Sequence, residues 1–285
     1  PKVEQVKFDA ARMPWRVSGV ARVAAQPIAR VDGRPVYGGT PADAAVVEAI
    51  RALRERDQSV MFYPFILMEQ LAGNGRPNPW SGAADQPVLP WRGRITVSVA
   101  PGVAGSPDRS EAAAAEVEAF FGAAEPSDFS IDGDQLRYDG PEDWRFRRFI
   151  LHQAWLCRLA GGVEAFCIGS ELRGLTQIRG AGDSYPAVAA LKRLAADVRA
   201  ILGAGTKIGY AADWSEWFGH HVGGDVRFHL DPLWSDPNID FVGIDNYMPL
   251  SDWRDGEAHA DAGWGSIHNL DYLKANIAGG EGFDW

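Results

Sequence analysis

Apolar, strand-like runs alternate with helical stripes through the second half of the chain. The run at 163–171 is apolar until it reaches a glycine and a carboxylate, and 185–202 repeats Leu and Val at helical spacing. The pattern predicts strands at 163–171, 207–213 and 239–247, and helices at 141–159, 185–202 and 270–278. Strands and helices that alternate at these lengths indicate βα units around a parallel sheet.

The first half of the chain is less regular. Residues 1–40 are rich in Pro and Gly, and 72–94 form a predicted loop rich in Gly, Pro and Trp. The pattern predicts helices at 42–57 and 110–122, strands at 61–67 and 95–99, and hairpins around 31–34 and at 129–139. Pro64 argues against a long central ladder for the strand at 61–67 but suits a strand end that opens into a loop.

The type of sheet follows from the connections between its strands. Right-handed crossovers leave either an open doubly wound sheet or a closed barrel. A dinucleotide-binding open sheet would carry a glycine fingerprint after its first strand, and the sequence contains neither G-x-G-x-x-G nor a phosphate-binding loop motif. We therefore predict an α/β fold of the (β/α)8 TIM-barrel type, as one domain over 1–285.

Composition excludes several classes of function. The chain has 285 residues with a net charge of −10, and no cluster of Lys and Arg provides the basic face that a nucleic-acid binder needs. No apolar run approaches the roughly 20 residues that cross a bilayer, and the start does not read as a signal peptide. We expect no nucleic acid and no membrane insertion, and the acidic balance favours a neutral or polyhydroxylated substrate.

Two cysteines and an adjacent histidine pair raise the question of metals. Cys157 and Cys167 fall in a predicted helix and a predicted buried strand, so two reduced core thiols are favoured over a disulfide. His220 and His221 would face opposite ways in a strand, and a solvent-facing loop pair is the favoured alternative. No Cys/His spacing provides a zinc site, and we expect neither a metal nor a cofactor.

Tryptophan is unusually frequent, with eleven in the chain. Core and loop packing explains many of them. The alternative is that several act as flat platforms for sugar rings, as expected for those in or beside loops: Trp80, Trp91, Trp214, Trp217, Trp234 and Trp253.

The ends of the predicted strands carry a family resemblance. They read Phe-Cys-Ile-Gly-Ser-Glu171, Ile-Gly-Tyr-Ala-Ala-Asp-Trp-Ser-Glu216 and Phe-Val-Gly-Ile-Asp-Asn-Tyr247, with Met61-Phe-Tyr-Pro-Phe-Ile-Leu67 and Pro90-Trp-Arg-Gly-Arg-Ile95 before them. From about Trp15 to Trp285 this resembles the TIM-barrel-like domain of phage-tail proteins from gene transfer agents. That domain is similar to clan A glycoside hydrolases, particularly barrel mannanases.

The resemblance implies a catalytic position and an incomplete barrel. Glu171 matches the acid/base that ends the fourth strand in clan A enzymes, whereas no segment matches the second carboxylate, which ends their seventh strand. The matched strands correspond to strands three to six, so the resemblance implies that the chain is a fragment of a barrel. Ser170 stands where the family usually has an Asn that bonds a sugar hydroxyl.

Each candidate residue also has a structural alternative. A buried strand carries Glu171 to its end, a setting that suits a protonated donor, but an ion pair with an arginine such as Arg173 is the alternative. Asp213 and Glu216 could contact sugar hydroxyls and Trp214 could stack on a ring. The alternative is that Asp213 or Ser215 caps the N-terminus of a following helix.

The remaining predicted substrate contacts come from four strand or loop positions. They are Tyr63, Trp91, Asp245 and Tyr247. By position, Tyr247 matches the residue that bonds the nucleophile in clan A enzymes, and its alternative is packing at the barrel rim.

Two functions follow as hypotheses. The first is a retaining glycoside hydrolase-like domain of a phage-like tail protein, acting on a cell-envelope polysaccharide or peptidoglycan glycan, with Glu171 as general acid/base. The second is a non-catalytic carbohydrate-binding or structural module of the tail tip. In both, the expected partners are a glycan and other phage-tail-like proteins. The expected location is the tail of a particle that is made in the bacterial cytoplasm and acts at the host cell surface.

Overall fold

The structure is a computed structural model that describes residues 2–3, 16–17, 20–21, 26–27, 30–35, 40–247, 250–251 and 253–279. The chain divides into two compact units, Pro1–Ile244 and Asp245–Trp285. The prediction of a single domain over 1–285 stays a prediction.

The described residues contain fourteen strands, most of them short. In chain order they are β1 (Lys2–Val3), β2 (Arg16–Val17), β3 (Val20–Ala21), β4 (Gln26–Pro27), β5 (Arg30–Val31), β6 (Arg34–Pro35), β7 (Met61–Phe62), β8 (Phe129–Asp132), β9 (Gln135–Tyr138), β10 (Ala165–Ser170), β11 (Lys207–Asp213), β12 (His220–Val222), β13 (Asp225–Arg227) and β14 (Phe241–Asp245).

Seven α-helices lie in the same described ranges. They are α1 (Asp43–Arg54), α2 (Glu111–Phe121), α3 (Phe146–Leu159), α4 (Arg173–Thr176), α5 (Pro186–Leu202), α6 (Asp231–Trp234) and α7 (Leu270–Gly279). Short 3-10 turns occur at Arg92–Arg94, Pro126–Asp128, Ala181–Asp183 and Ala260–Trp264.

Four strands form the central parallel sheet, in the order β14-β11-β10-β7. β10 pairs in parallel with β7 on one side and with β11 on the other. The parallel arrangement brings the carboxyl ends of these strands to one edge of the sheet, where side chains such as those of Ser170 and Asp213 emerge. This four-strand parallel sheet and the helices around it confirm the TIM-barrel-like α/β fold class. The assignment of these strands to strands three to six of a barrel stays a prediction.

Burial explains why the middle of the sheet was predictable from sequence. β10 is covered by α3 and α5, and all of its residues after Ala165 are buried. Its Phe166 packs with Ile168, and with Ile208 and Tyr210 of β11, in one core. Each large apolar side chain buried in this way stabilises the fold by about 1.5–3 kcal/mol.

The ends of α5 follow common helix signals. Pro186 occupies the first turn, where its missing N–H costs nothing because that group has no partner inside the helix. Gly203 ends the helix at φ +80°, a left-handed conformation that favours glycine.

Inside the second unit, Tyr272 of α7 is buried among aromatic rings. Its hydroxyl donates to Asp261 Oδ2 at 2.8 Å, and the rings of Trp253 and Trp264 lie 5.9 and 5.6 Å from its own. Trp253 also contacts His259, at 4.6 Å between ring centroids. Trp253 is therefore a packing residue of this unit.

Several sequence predictions are confirmed in detail. The hairpins at 31–34 and 129–139 form as β5–β6 and β8–β9, and β11 has the bounds predicted for it. Both cysteines are buried, and neither forms a disulfide.

Four predictions were wrong in extent or type. The strand at 61–67 ends at Phe62, because Pro64 follows and cannot donate to a ladder. The segment 95–99 is not a strand, since the backbone N–H of Ser98 donates to the Glu116 carboxylate instead of to a neighbouring strand. The helix predicted from 141 begins at Phe146, and the histidine pair lies in β12 rather than in a loop.

The Gly209→Ala substitution tests the packing of β11 against β14. A Cβ at this position would lie 2.4 Å from the Phe241 ring, so we expect overpacking to lower the free energy of unfolding by about 1–3 kcal/mol in urea denaturation. Gly205→Ala is the matched control, because no atom lies within 4 Å of its Cβ, and we expect a change within about 0.5 kcal/mol. Equal effects of the two substitutions would contradict this packing.

Candidate functional site

The backbone at the end of β10 turns sharply to place Glu171. This residue has φ +49°, in the left-handed region where a side chain is disfavoured by roughly 1–2 kcal/mol. Two bonds hold the turn: the Glu171 N–H donates to Ala211 O, and the Leu172 N–H donates to the Tyr210 hydroxyl, both at 2.9 Å. The strain is therefore maintained by the neighbouring strand β11.

The Glu171 carboxylate is buried and held through one oxygen. The residue is 2% exposed, and its Oε2 accepts the Trp91 indole N–H at 2.6 Å and contacts the Arg92 guanidinium at 2.8 Å. Its Oε1 is buried without a hydrogen-bond partner among the described residues. Bonds to a charged partner are the stronger class, so this pair fixes the side chain in place.

Arg92 joins Glu171 to the other side chains of the strand end. Its Nε donates to Ser170 Oγ at 3.0 Å, and its guanidinium lies 4.8 Å from the centre of the Phe65 ring. The alternative of an ion pair at Glu171 is thus realised, with Arg92 rather than Arg173 as the cation. Ser170, predicted to contact substrate, is 3% exposed, and in this conformation its hydroxyl oxygen faces Arg92.

The segment that carries Trp91 and Arg92 fits closely against the start of α4. A Cβ at Gly174 would lie 2.6 Å from Gly93 O, and a Cβ at Gly93 would lie 2.3 Å from the Trp91 ring. Two glycines therefore allow the contact, and the Trp91 ring folds back over its own chain. Trp80 anchors the segment from outside, because its indole N–H donates to Arg94 O at 3.0 Å.

A second carboxylate, Glu216, lies in the interior beneath this strand end. It is fully buried, and its Oε1 accepts bonds from Thr176 Oγ1 at 2.5 Å and from the Tyr210 hydroxyl at 3.0 Å. Its Oε2 accepts the Asp213 N–H at 3.1 Å. Burial raises the pKa of Glu216 to about 7, and the neutral donors only partly offset that effect.

Glu216 was predicted to contact sugar, and its burial removes it from that role in this conformation. Its network instead supports Glu171, because the Tyr210 hydroxyl that donates to Glu216 also receives the N–H of Leu172. Tyr210 was not singled out from the sequence. The available signal is a tyrosine among small and apolar residues of β11, three positions before the strand ends at Asp213.

At the end of β11, Asp213 turns inward and Trp214 turns outward. Asp213 is 4% exposed, and its Oδ1 accepts the Ser215 N–H at 2.9 Å. It organises a turn at 214–218, and the alternative that it caps a helix was wrong because no helix begins there. Trp214 is 40% exposed. Of these two predicted contacts, Trp214 is the one presented at the surface.

The tryptophans divide into packed and presented groups. Trp80 bonds Arg94, and Trp234 packs on Tyr210 at 5.9 Å between ring centroids. Trp91, Trp214 and Trp217 remain between 38% and 42% exposed. Trp214 and Trp217 directly follow the carboxyl end of β11, and Trp91 lies beside the end of β10 through its bond to Glu171.

The remaining predicted residues are Tyr63, which lies beside the Phe65 ring that Arg92 contacts, and two residues of the second unit. Tyr63 is half-buried beside Phe65 and lines a cavity of about 1120 Å³ whose lining includes none of the other predicted site residues. Asp245 ends β14, and Tyr247 is 68% exposed; both belong to the second unit.

The structure therefore brings Trp91, Ser170 and Glu171 together around Arg92. Arg92 stood in the quoted segment Pro90–Ile95 but received no role from the sequence. In the described ranges, no group of three or more His, Cys, Asp and Glu residues could hold a metal ion. Among the helices of those same ranges, none combines the length and apolarity that a membrane span requires.

Comparison with known proteins adds one match. Residues 144–285 match the family described as GTA TIM-barrel-like domain. The matched stretch contains Ser170, Glu171, Asp213 and Glu216, whereas Trp91 and Arg92 precede it. No curated protein matches the chain.

The pH dependence of stability tests the Glu216 network. Because the pKa in the fold, about 7, lies above the ordinary 4.5, the folded protein retains a proton that the unfolded chain releases. The contribution of Glu216 to stability therefore falls as pH rises from 4.5 to 7, by up to about 3 kcal/mol. His229, whose pKa burial lowers to about 4, acts in the opposite direction between pH 4 and 6.5.

Comparing the protein with the Glu216→Gln variant isolates this effect, since His229 is common to both. We expect the difference in unfolding free energy between them to shift against the parent protein from pH 5 to pH 7.5, measured by urea denaturation. A difference that stays constant across that range would show that Glu216 does not titrate there.

Proposed function

Residues 144–285 of this chain match the GTA TIM-barrel-like domain family, and from that similarity we propose that the chain is a glycan-binding module of a gene transfer agent. It binds an envelope glycan at the carboxyl ends of its sheet without hydrolysing it. In this proposal its place is the tail of the phage-like particle, beside other phage-tail-like proteins, and its ligand is a polysaccharide or peptidoglycan glycan of the host surface.

The burial and ion pairing of the Glu171 carboxylate are the reason for proposing binding rather than hydrolysis. A general acid must hold a proton and reach the leaving oxygen of the substrate. Glu171 is 2% exposed, and the oxygen that Arg92 contacts at 2.8 Å also accepts the Trp91 indole N–H. An ion pair with a guanidinium requires the ionised carboxylate, so this arrangement suits a residue that orients its neighbours.

Trp91 is the group that Glu171 orients. The indole N–H is bound to the carboxylate, the ring folds over Gly93, and 38% of the residue is still exposed. A ring already held in one position loses little conformational freedom when a ligand stacks on it. Trp214, at the end of the neighbouring strand, is the second exposed ring in this proposal.

Hydrolysis is the second candidate, favoured by two observations at the same residue. Glu171 has the left-handed backbone that is concentrated at functional sites, and its Oε1 has no hydrogen-bond partner in the described part of the chain. In that candidate Glu171 is the acid/base, as its family resemblance implies, and a second carboxyl must lie about 5–5.5 Å away in a retaining enzyme.

Sedimentation with purified bacterial envelope glycan tests the proposal, and reducing ends released from the same glycan report hydrolysis. We expect the protein to co-sediment, Trp214→Ala to weaken retention about tenfold, equivalent to about 1.4 kcal/mol, and no reducing ends to appear. Glu171→Gln should also weaken retention, because Trp91 loses its ionic partner.

Phe228→Ala is the control, since Phe228 is an exposed aromatic of the loop after β13. Loss of retention in that variant equal to the loss in Trp214→Ala would identify nonspecific adhesion and contradict the proposal. Release of reducing ends by the parent protein but not by Glu171→Gln would establish the second candidate instead.

A further inference from the structure

The hairpin formed by β12 and β13 stands outside the central sheet. Its strands pair with each other in a two-stranded sheet, with His220 opposite Arg227. All residues from 220 to 227 are exposed or half-buried. A two-stranded hairpin is at best marginally stable by itself. Its position therefore depends on the side chains that attach it to the rest of the first unit.

Titratable and charged side chains attach the hairpin to the segment before α5. His220 Nδ1 lies 3.0 Å from the Tyr185 hydroxyl, and Arg227 Nη1 lies 3.2 Å from Asp183 Oδ2. His229 follows the hairpin, and its backbone N–H donates to Arg227 O at 2.8 Å. A displacement of the His229 ring is therefore coupled to the end of β13.

The His229 ring is buried with one nitrogen unsatisfied. The residue is 3% exposed, and its ring centroid lies 5.3 Å from that of Tyr185 and 6.0 Å from that of His220. Nε2 lies 3.4 Å from Thr176 Oγ1, whereas Nδ1 is buried without a hydrogen-bond partner among the described residues. A protonated imidazole carries an N–H on both nitrogens, so protonation here would bury a charged donor without an acceptor.

The groups around the two histidines do not compensate a further positive charge. Three arginines and one aspartate face His220: Arg173, Arg179, Arg227 and Asp108. Arg173 also faces His229. The Thr176 hydroxyl donates to Glu216, whose pKa of about 7 leaves that carboxyl neutral in acid. Burial, and after it the neighbouring positive groups, lower the pKa of His220 and lower that of His229 to about 4.

The direction of the pH effect follows from the depressed pKa of His229. While the hairpin is attached, His229 takes up a proton only near pH 4, whereas an exposed imidazole takes it up near pH 6.5. The detached hairpin therefore binds more protons between those two values. Its attachment is strongest above pH 6.5 and weakens as the pH falls toward 4.

We propose that the β12–β13 hairpin is an acid-released element: protonation of His229 detaches residues 220–228 from the segment before α5, while the central sheet stays folded. The detached segment ends at His229, because Leu230 is 1% exposed and belongs to the core. This release needs no ligand, so it does not rest on the function proposed above.

Release would alter the exposed aromatic surface beside the hairpin. The Phe218 ring lies 4.9 Å from that of His221 in β12 and 5.9 Å from that of Trp217. These rings lose a packing partner when β12 detaches. Acidification would therefore change the surface that follows β11.

Backbone hydrogen–deuterium exchange of the whole chain, resolved by peptide mass spectrometry, tests the release at pH 7.5 and pH 5. After correction for the intrinsic exchange rate at each pH, we expect the opening equilibrium of residues 220–227 to rise about 30-fold, because the detached state takes up one proton near pH 6.5. Peptides from β10 should keep their protection. His229→Gln, which takes up no proton, should abolish the rise.

His221→Gln is the matched control, since His221 is the exposed neighbour of His220 and points to the opposite face of β12. This variant should retain the full rise. If His229→Gln is not folded at pH 7.5, His229→Phe takes its place, because a phenyl ring fills a similar space and takes up no proton.

Three results would overturn the proposal. They are unchanged protection of residues 220–227 in the parent protein between the two pH values, the same rise in the His229 variant as in the parent, and an equal loss of protection in β10, which would identify global unfolding. Glycan is absent from these samples, so a failure here leaves the retention assay described above unaffected.

Discussion

A carboxylate buried at the end of β10 needs donors within the protein, and Trp91 and Arg92 supply them to Glu171. Removing a charge from water is costly unless it is paired and hydrogen-bonded. The pairing therefore determines where the segment 91–95 lies, which in turn places the Trp91 ring and the close contact of Gly93 with Gly174. The strained turn of Glu171 persists because these contacts and β11 hold it from both sides.

Two buried carboxylates in this region have opposite surroundings. Glu171 has a guanidinium, whereas the donors to Glu216 are the hydroxyls of Thr176 and Tyr210 and one backbone N–H. Burial without a cation raises the pKa of Glu216 to about 7. The Tyr210 hydroxyl contacts both Glu216 and the backbone of Leu172. The hydrogen-bond network of Glu216 therefore helps to hold the turn that carries Glu171 and its ion pair with Arg92. Because of this difference in surroundings, Glu171 orients the side chains around it, whereas Glu216 stabilises the interior beneath it.

The sequence predicted elements wherever burial alone decides the structure. β10, β11 and α5 were found because their apolar periodicity follows from being covered by the same core. The segment 95–99 was also predicted to be a strand, but the Ser98 N–H donates to the Glu116 carboxylate, a contact that apolar periodicity does not reveal.

The position of Glu171 at a strand end was predictable from the sequence, but the partners of the buried carboxylates were not. A strand end delivers Glu171 where the sequence placed it, yet its cation comes from Arg92, far earlier in the chain, and nothing in local spacing links the two. The inward turn of Glu216 was equally hidden, since it depends on the hydroxyls of Thr176 and Tyr210.

The central claim is that Glu171 and Arg92 act as one ionic unit. A double-mutant cycle in urea denaturation tests it most directly, with Arg92→Met, Glu171→Gln and the two combined. A hydrogen-bonded buried pair predicts a coupling free energy of about 1.5–3 kcal/mol between the two sites. A coupling near zero would show that Glu171 is not held by Arg92, and the account of a carboxylate that orients Trp91 would be contradicted.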